Sequence, residues 1–316
     1  GAPAGLGMLG TNRPRPVRAL ESRLRRRAIG RCLRAGLARM LRQNLPAGTA
    51  YLNLSHTNLT DRVCRAVRSL PASRISVFLH DTIPLDHPEL QRPESVPRFR
   101  AHLQRAGAAD IILTSSRSAA GDIRRHLPHG AEPIIAPLGV VPAAFAPSDL
   151  PRKLSEPYFV AVGTIEPRKN LGLLLDVWDE LGPNAPILYL IGGRGWESNA
   201  TFRRIDAAAP KVVELGPVPD AAAAAVVAGA RALLFPSLAE GYGLPPLEAA
   251  ALGTQPVCSD LEVCRELLGE SGIYLPTTDV YAWIKEIRRL TEQTSPFVPK
   301  APPLWTDHFK VALSVT

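Results

Sequence analysis

Two glutamates, Glu240 and Glu248, bracket the glycine-rich stretch Gly241-Tyr242-Gly243-Leu244-Pro245-Pro246-Leu247. Gly241 and Gly243 precede a helix that Pro245 and Pro246 can start, so backbone N–H groups with no side chain in the way can face an anion. Two carboxylates beside such a loop would repel a phosphate, but each can accept hydrogen bonds from vicinal sugar hydroxyls. One ribose and one further sugar would occupy both. Upstream, Val162-Gly163-Thr164-Ile165-Glu166-Pro167-Arg168-Lys169-Asn170 follows an apolar run and opens another helix. Gly163 lets the backbone come close to a ligand, and Arg168 and Lys169 add cations at the positive end of the helix dipole, which is what a diphosphate needs. Either block alone also reads as a solvated charged turn. In this order the two reinforce one another.

The remaining candidates are less specific. His80 and Asp81 end the apolar run Val77–Leu79; a histidine there serves as a structural hydrogen-bonder as readily as a catalytic group, and Asp81 reads as a cap or loop hydrogen-bonder. Tyr242 either touches a ligand or packs the loop. Gly192 and Gly193 either approach a nucleotide or make a plain strand-end turn. Gly5-Leu6-Gly7-Met8-Leu9-Gly10 fits a dinucleotide fingerprint, but no strand precedes it and Pro14 and Pro16 follow too soon for its helix. There is no P-loop and no Asp-x-Asp pair for a divalent cation, and Cys32, Cys64, Cys258 and Cys264 are scattered without metal-ligand spacing.

These residues need a frame that brings strand ends together. Short apolar runs alternate with helical spacing: strands at 51–54, 75–79, 108–114 and 133–137, and helices at 61–70 and 116–126. After 157 come strands at 158–163, 186–191, 212–215, 232–236 and 255–259, between helices at 171–181, 200–208, 220–228, 246–252, 262–268 and 281–290. Such alternation predicts an α/β protein with parallel sheets covered on both faces and ligands at the carboxyl ends of the strands. With 316 residues two domains are expected. The proline-rich stretch 140–157 is the natural linker, which puts the domains at 1–149 and 150–316.

Hydrophobic content of 46% with 21% charged residues is that of a globular chain. The net charge of +8 is concentrated: residues 13–42 hold eleven arginines against Glu21, or +10, which leaves −2 elsewhere. Leucines recur there at helical spacing, predicting a basic amphipathic helix broken near Gly30 or Gly36. Such a helix can rest on an anionic membrane surface or solvate one face of its own domain. No apolar run is long enough to span a membrane and no secretory signal is visible, so the expected place is cytoplasmic, peripheral on the inner face of the plasma membrane.

The EGYGLPPLE stretch resembles the E-x7-E element of family 4 glycosyltransferases, and GTIEPRKN resembles the glycine and Arg-Lys element upstream of it. Ile191-Gly192-Gly193, Gly216-Pro217-Val218 and Ser259-Asp260 look like the same family's C-terminal domain, and Val77–Pro84 looks like its strand-end HD element. The resemblance covers about residues 75–290. It implies a GT-B fold, with two Rossmann-like domains whose parallel sheets flank a cleft. It also implies metal-independent transfer of a hexose, with retention, from a nucleoside diphosphate sugar, GDP-mannose ahead of a UDP-sugar. The acceptor would be a glycan or lipid-linked oligosaccharide in polysaccharide assembly, and no separate cofactor is implied. By this similarity Arg168 and Lys169 hold the diphosphate with Gly163 and the Gly241-Tyr242-Gly243-Leu244 loop, Glu248 the ribose, and Glu240 the transferred sugar, with His80 across the cleft. Trp305–Leu313 resembles a terminal helix that returns to the first domain. The apolar strand and glycine-rich loop that open the family's first domain are not found before the basic helix, so that domain reads as incomplete. A catalytically idle scaffold and an arginine-rich nucleic-acid binder are the other readings. The second leaves Glu240 and Glu248 unexplained and has no interleaved aromatics for base stacking, so no nucleic-acid partner is expected.

Overall fold

The computed structural model describes residues 30–55, 57–149, 154, 157–292 and 297–316. Arg13–Arg27 of the basic segment and the glycines at 5–10 lie outside them. The chain divides into two compact units, 1–51 with 60–74 and 52–59 with 75–316. In the smaller unit a short 3-10 turn, Arg34–Gly36, runs directly into α1 (Leu37–Asn44), and the part of the expected basic helix before Gly30 lies outside the described residues. Arg39 and Arg42 are exposed while Met40 and Leu41 are half-buried, an amphipathic arrangement. β1 (Ala50–Asn53) follows, then α2 (Asp61–Arg68), capped by the Thr60 hydroxyl accepting from Val63 N–H.

In the larger unit β2 (Arg74–Phe78) leads through a short α3 (Ile83–Asp86) to α4 (Ser95–Ala106), then β3 (Ile111–Thr114), α5 (Arg117–His126) and β4 (Ile134–Ile135). β2, β3 and β4 are parallel neighbours, and the Leu52–Asn53 end of β1 continues the sheet. α4 is absent from the sequence expectation, although Phe99, Leu103 and Ala106 bury one face at helical spacing and Pro97 sits in its first turn. β3 starts at Ile111, later than expected, because Ala108 and Ala109 donate back to Arg105 and Ala106 in the turn that ends α4.

The second sheet follows the expected alternation: β5 (Tyr158–Val162), α6 (Leu171–Leu181), β6 (Ile187–Ile191), α7 (Asn199–Ala207), β7 (Val212–Gly216), α8 (Asp220–Ala228), β8 (Ala232–Phe235), α9 (Leu244–Ala251), β9 (Gln255–Ser259), α10 (Glu262–Leu268), β10 (Ile273–Leu275) and α11 (Val280–Glu292). All its pairings are parallel, in the order β10-β9-β8-β5-β6-β7. β5 alternates its faces: Phe159 and Ala161 pack with Trp178 and Trp283, Tyr158 and Val160 with Tyr189 and Leu247. Each such large side chain contributes about 1.5–3 kcal/mol by leaving water. The order reverses at β5, which has β6 on one side and β8 on the other, so a crevice opens at the carboxyl ends of β5 and β8.

The last helix, α12 (Trp305–Val315), returns to the first sheet as expected. Ala312 packs with Phe78, Leu113 and Ala136, and His308 Nδ1 lies 3.0 Å from the Ala136 carbonyl.

Candidate functional site

The β5 and β8 strand ends carry both sequence blocks. After β5, Pro167–Lys169 form a 3-10 turn and Asn170 takes a left-handed conformation to start α6. After β8, the chain runs through Ser237–Tyr242 to Gly243, whose φ of +98° starts α9 at Leu244, two residues before the expected start. Pro245 and Pro246 have no N–H, so Gly243 and Leu244 keep the first donors at this helix end. Leu238 N–H donates to the Arg168 carbonyl at 2.8 Å, tying the two loops together.

The tie brings opposite charges into contact. Lys169 Nζ lies 2.6 Å from Glu240 Oε1, and an Arg168 terminal nitrogen 2.6 Å from Glu240 Oε2, so both carboxylate oxygens are engaged. Arg168 also pairs with Glu166 at 2.9 Å and donates to the Ala239 carbonyl at 3.0 Å. Burial works against the Arg168 charge, but Glu240 and Glu166 outweigh it and raise the guanidinium above its ordinary pKa. Lys169 Nζ also sits 4.8 Å from the centre of the Phe235 ring. Beside it, the buried Ser237 hydroxyl has no hydrogen-bond partner among the described residues.

Apart from Lys169, which lines neither, the predicted site residues divide between two cavities. One, of about 690 Å³, takes His80, Asp81, Arg168, Glu240 and the Gly241–Leu244 loop. His80 packs its ring against Phe78 at 4.8 Å and its Nε2 lies 3.4 Å from the Leu54 carbonyl. Asp81 accepts from Ile83 N–H at 3.1 Å, a loop hydrogen bond as expected. Ser95, Arg98, Phe99 and His102 of α4, with Trp196, also line it and were missed in the sequence, whereas Ser115, another lining residue, lies in the Leu113–Ser116 strand and turn, which resembles the one in family 4 glycosyltransferases; the helical spacing of Phe99, Leu103 and Ala106 was the signal for α4. The Ser115 hydroxyl is buried and has no partner among the described residues.

The other cavity, of about 440 Å³, takes Gly163, Gly192 and Glu248. Glu248 therefore does not share a cavity with Glu240; Pro245 lines both cavities at the start of the intervening helix. Burial first, and then the charge of Asp220, raise the Glu248 carboxyl above its ordinary range. Gly163 has φ +144°, and a Cβ there would stand 3.2 Å from Lys169 Cε. Gly192, at φ +140°, lets the β6 turn approach so closely that a Cβ would lie 2.0 Å from the Gly163 carbonyl oxygen.

Two hydrogen bonds hold the Gly241–Tyr242 loop to segments that follow strands of the first sheet. Ser116 Oγ donates to the Gly241 carbonyl at 3.2 Å, and Tyr242 OH donates to the Leu138 carbonyl at 2.8 Å. Burial and the nearby Glu266 push the Tyr242 hydroxyl up to about 12, against that hydrogen bond. Tyr242 thus packs the loop and also lines the larger cavity. Glu266 accepts from Arg117 N–H at 2.8 Å and Ser118 N–H at 3.0 Å, capping α5 from the second half of the chain. Among the described residues no cluster of three metal-ligating side chains occurs, and no helix is long and apolar enough to cross a membrane.

Comparison with known proteins bears on this geometry directly. Residues 156–293 match the family described as "Glycosyl transferases group 1". The chain is 29% identical over 228 residues to O-antigen chain mannosyltransferase B of Escherichia coli, covering 66% of this chain and 59% of that protein. It is 27% identical over 244 residues to O-antigen chain mannosyltransferase RfbU of Salmonella typhimurium, covering 74% and 67%. Among solved structures, Anabaena Alr3699/HepE in complex with UDP-glucose superposes with a TM-score of 0.70 at 15% identity, covering 89% of this chain and 81% of that one. The chain thus spans about three-fifths to two-thirds of the length of these two mannosyltransferases. Residues 156–293 form a glycosyl transferases group 1 domain, on a chain that has the GT-B fold and resembles family 4 mannosyltransferases.

Proposed function

We propose that the protein transfers a mannosyl group from a nucleoside diphosphate sugar, GDP-mannose ahead of a UDP-sugar, to a glycan or lipid-linked oligosaccharide in polysaccharide assembly. The observation that carries this reading is the clamp of Arg168 and Lys169 on Glu240 at the crevice of β5 and β8, within the matched family domain. The diphosphate meets these two cations and the N–H groups of Gly243 and Leu244. They stabilise the charge that develops on the leaving group without a divalent cation. Glu248 accepts from the ribose hydroxyls in the smaller cavity, and the transferred sugar reaches Glu240 and His80 in the larger one, where the acceptor enters.

Retention proceeds by front-face attack, the leaving phosphate helping to take the acceptor's proton. The state of Glu240 supports this over a covalent route: a carboxylate whose two oxygens each accept a charge-assisted hydrogen bond at 2.6 Å is a poor nucleophile. Glu240 instead orients the sugar and supports its developing positive charge. The exposed Arg39 and Arg42 support a peripheral position of the basic segment on an anionic inner-membrane face. The test is thermal unfolding of the full chain with GDP, UDP, ADP and dTDP, with and without EDTA. One diphosphate should raise the melting temperature in EDTA, and Glu248→Ala should abolish the shift. A folded chain that none of the four stabilises would refute the donor site and favour the idle scaffold.

A further inference from the structure

Trp196 differs from the chain's other three tryptophans. The indole N–H groups of Trp178 and Trp283 donate to the Pro186 and Pro276 carbonyls at 2.8 and 2.9 Å, and Trp305 stacks on Phe309. Trp196 lines the larger cavity, is half-buried, and has neither a hydrogen bond nor a ring contact among the described residues. The segment that carries it is nevertheless pinned on both sides. Before it, Ile165 N–H donates to the Gly193 carbonyl and Gly195 N–H to the Ile165 carbonyl, each at 3.0 Å, while Arg194 pairs with Asp206 and, at 2.8 Å, with Glu214. After it, the Ser198 hydroxyl caps α7 by accepting from Thr201 N–H at 3.1 Å. The ring is thus placed before any ligand arrives, which lowers the cost of binding one.

The same cavity offers hydroxyl partners: Gln91, Ser95 and the buried Ser115, whose hydroxyl has no partner among the described residues. A ligand with an apolar face for an indole and hydroxyls around its edge is a sugar. Sheet order decides which sugar. At the carboxyl edge Glu240 follows β8, Arg168 follows β5 and Trp196 follows β6. β8 and β6 are two strand spacings apart, roughly 10 Å, a span that takes more than one sugar ring. With the transferred sugar at Glu240, a ring on Trp196 belongs to the acceptor. We propose that Trp196 is the platform for an inner sugar of the acceptor glycan, behind the sugar that receives the mannosyl group, and that it makes the chain select acceptors of at least two sugars. This rests on the donor and acceptor placement proposed above and adds the residue that reads acceptor length.

The test titrates the full chain, with GDP or UDP bound, whichever stabilises it, with mannose, mannobiose and mannotriose. Trp178 and Trp283 are buried, so in wild type the covering of Trp196 should change the tryptophan emission, and Trp196→Phe should lose that change. By calorimetry wild type should bind mannobiose about tenfold or more tighter than mannose. Trp196→Phe, which keeps a ring, should retain part of this preference and Trp196→Ala none of it. Nucleotide affinity and melting temperature should hold in both variants, because Trp196 does not line the smaller cavity. In transfer assays Trp196→Ala should raise KM for mannobiose about tenfold or more at unchanged kcat, the mark of lost binding. A wild type that binds nucleotide but does not respond to mannobiose or mannotriose overturns the assignment, as does an undiminished length preference in Trp196→Ala. A fall of melting temperature and nucleotide affinity in both variants makes Trp196 structural and also overturns it. If neither nucleotide binds the folded wild type, the donor reading fails and takes this one with it.

Discussion

Replacing Glu240 by glutamine removes the carboxylate that Lys169 and Arg168 share. At 2.6 Å and an effective dielectric of about 20, one such pair is worth about 6 kcal/mol before desolvation. The loss falls unevenly on the two cations. Arg168 keeps Glu166 at 2.9 Å, whereas Lys169 keeps the Phe235 ring at 4.8 Å. Lys169 retains 13% side-chain exposure, so water recovers part of the difference and a net destabilisation of about 1–3 kcal/mol is expected. Urea unfolding should show this as a lower midpoint at unchanged slope. Freed of the carboxylate, both cations can turn to a diphosphate, so GDP affinity should hold or rise by up to about tenfold. Mannosyl transfer from GDP-mannose should fall by about 100-fold or more if, as proposed, Glu240 supports the sugar. Unchanged stability together with a tenfold loss of GDP affinity would refute this reasoning, because it would mean that the carboxylate does not compete for the cations.

Lys169→Met should behave in the opposite way: Glu240 keeps Arg168 at 2.6 Å, so stability should change by less than about 1 kcal/mol while GDP affinity falls about 10- to 100-fold by calorimetry. Glu248 binds its proton more tightly in the folded protein than in the unfolded chain, because burial and then Asp220 raise its carboxyl. The stability this contributes is present below the ordinary carboxylate range and lost as pH rises through the raised value, a slope that Glu248→Gln should flatten in denaturation midpoints measured across pH. With Glu248 accepting from the ribose as proposed, GDP binding should strengthen over the same window with release of a proton, detectable as a heat that varies with the buffer's ionisation enthalpy. Gly192→Ala places a side chain at φ +140° with its Cβ 2.0 Å from the Gly163 oxygen, so a loss of about 3–5 kcal/mol is expected in urea unfolding, and a loss below about 1 kcal/mol would contradict the close approach of the two turns.

The chain's local order was open to the sequence. Leu171–Leu181, Asp220–Ala228, Gln255–Ser259 and Glu262–Leu268 occupy the expected bounds, because side-chain periodicity and flanking glycines and prolines act within a few residues of one another. The two motif blocks were legible for the same reason, as glycines, prolines and charges at fixed offsets. Ser95–Ala106 escaped although its apolar spacing was present, and with it went the wall of the larger cavity. Other features belong to the tertiary structure alone. The reversal of strand order at Tyr158–Val162 depends on which distant strands pair, which no local pattern encodes. The grip of Arg168 and Lys169 on Glu240 joins residues more than seventy positions apart. The same is true of the assignment of Glu240 and Glu248 to different cavities. Local sequence sets the torsions and the buried face of each element, whereas charge contacts and cavities form only where elements remote in the chain meet, and the packing of the whole sheet decides where that is.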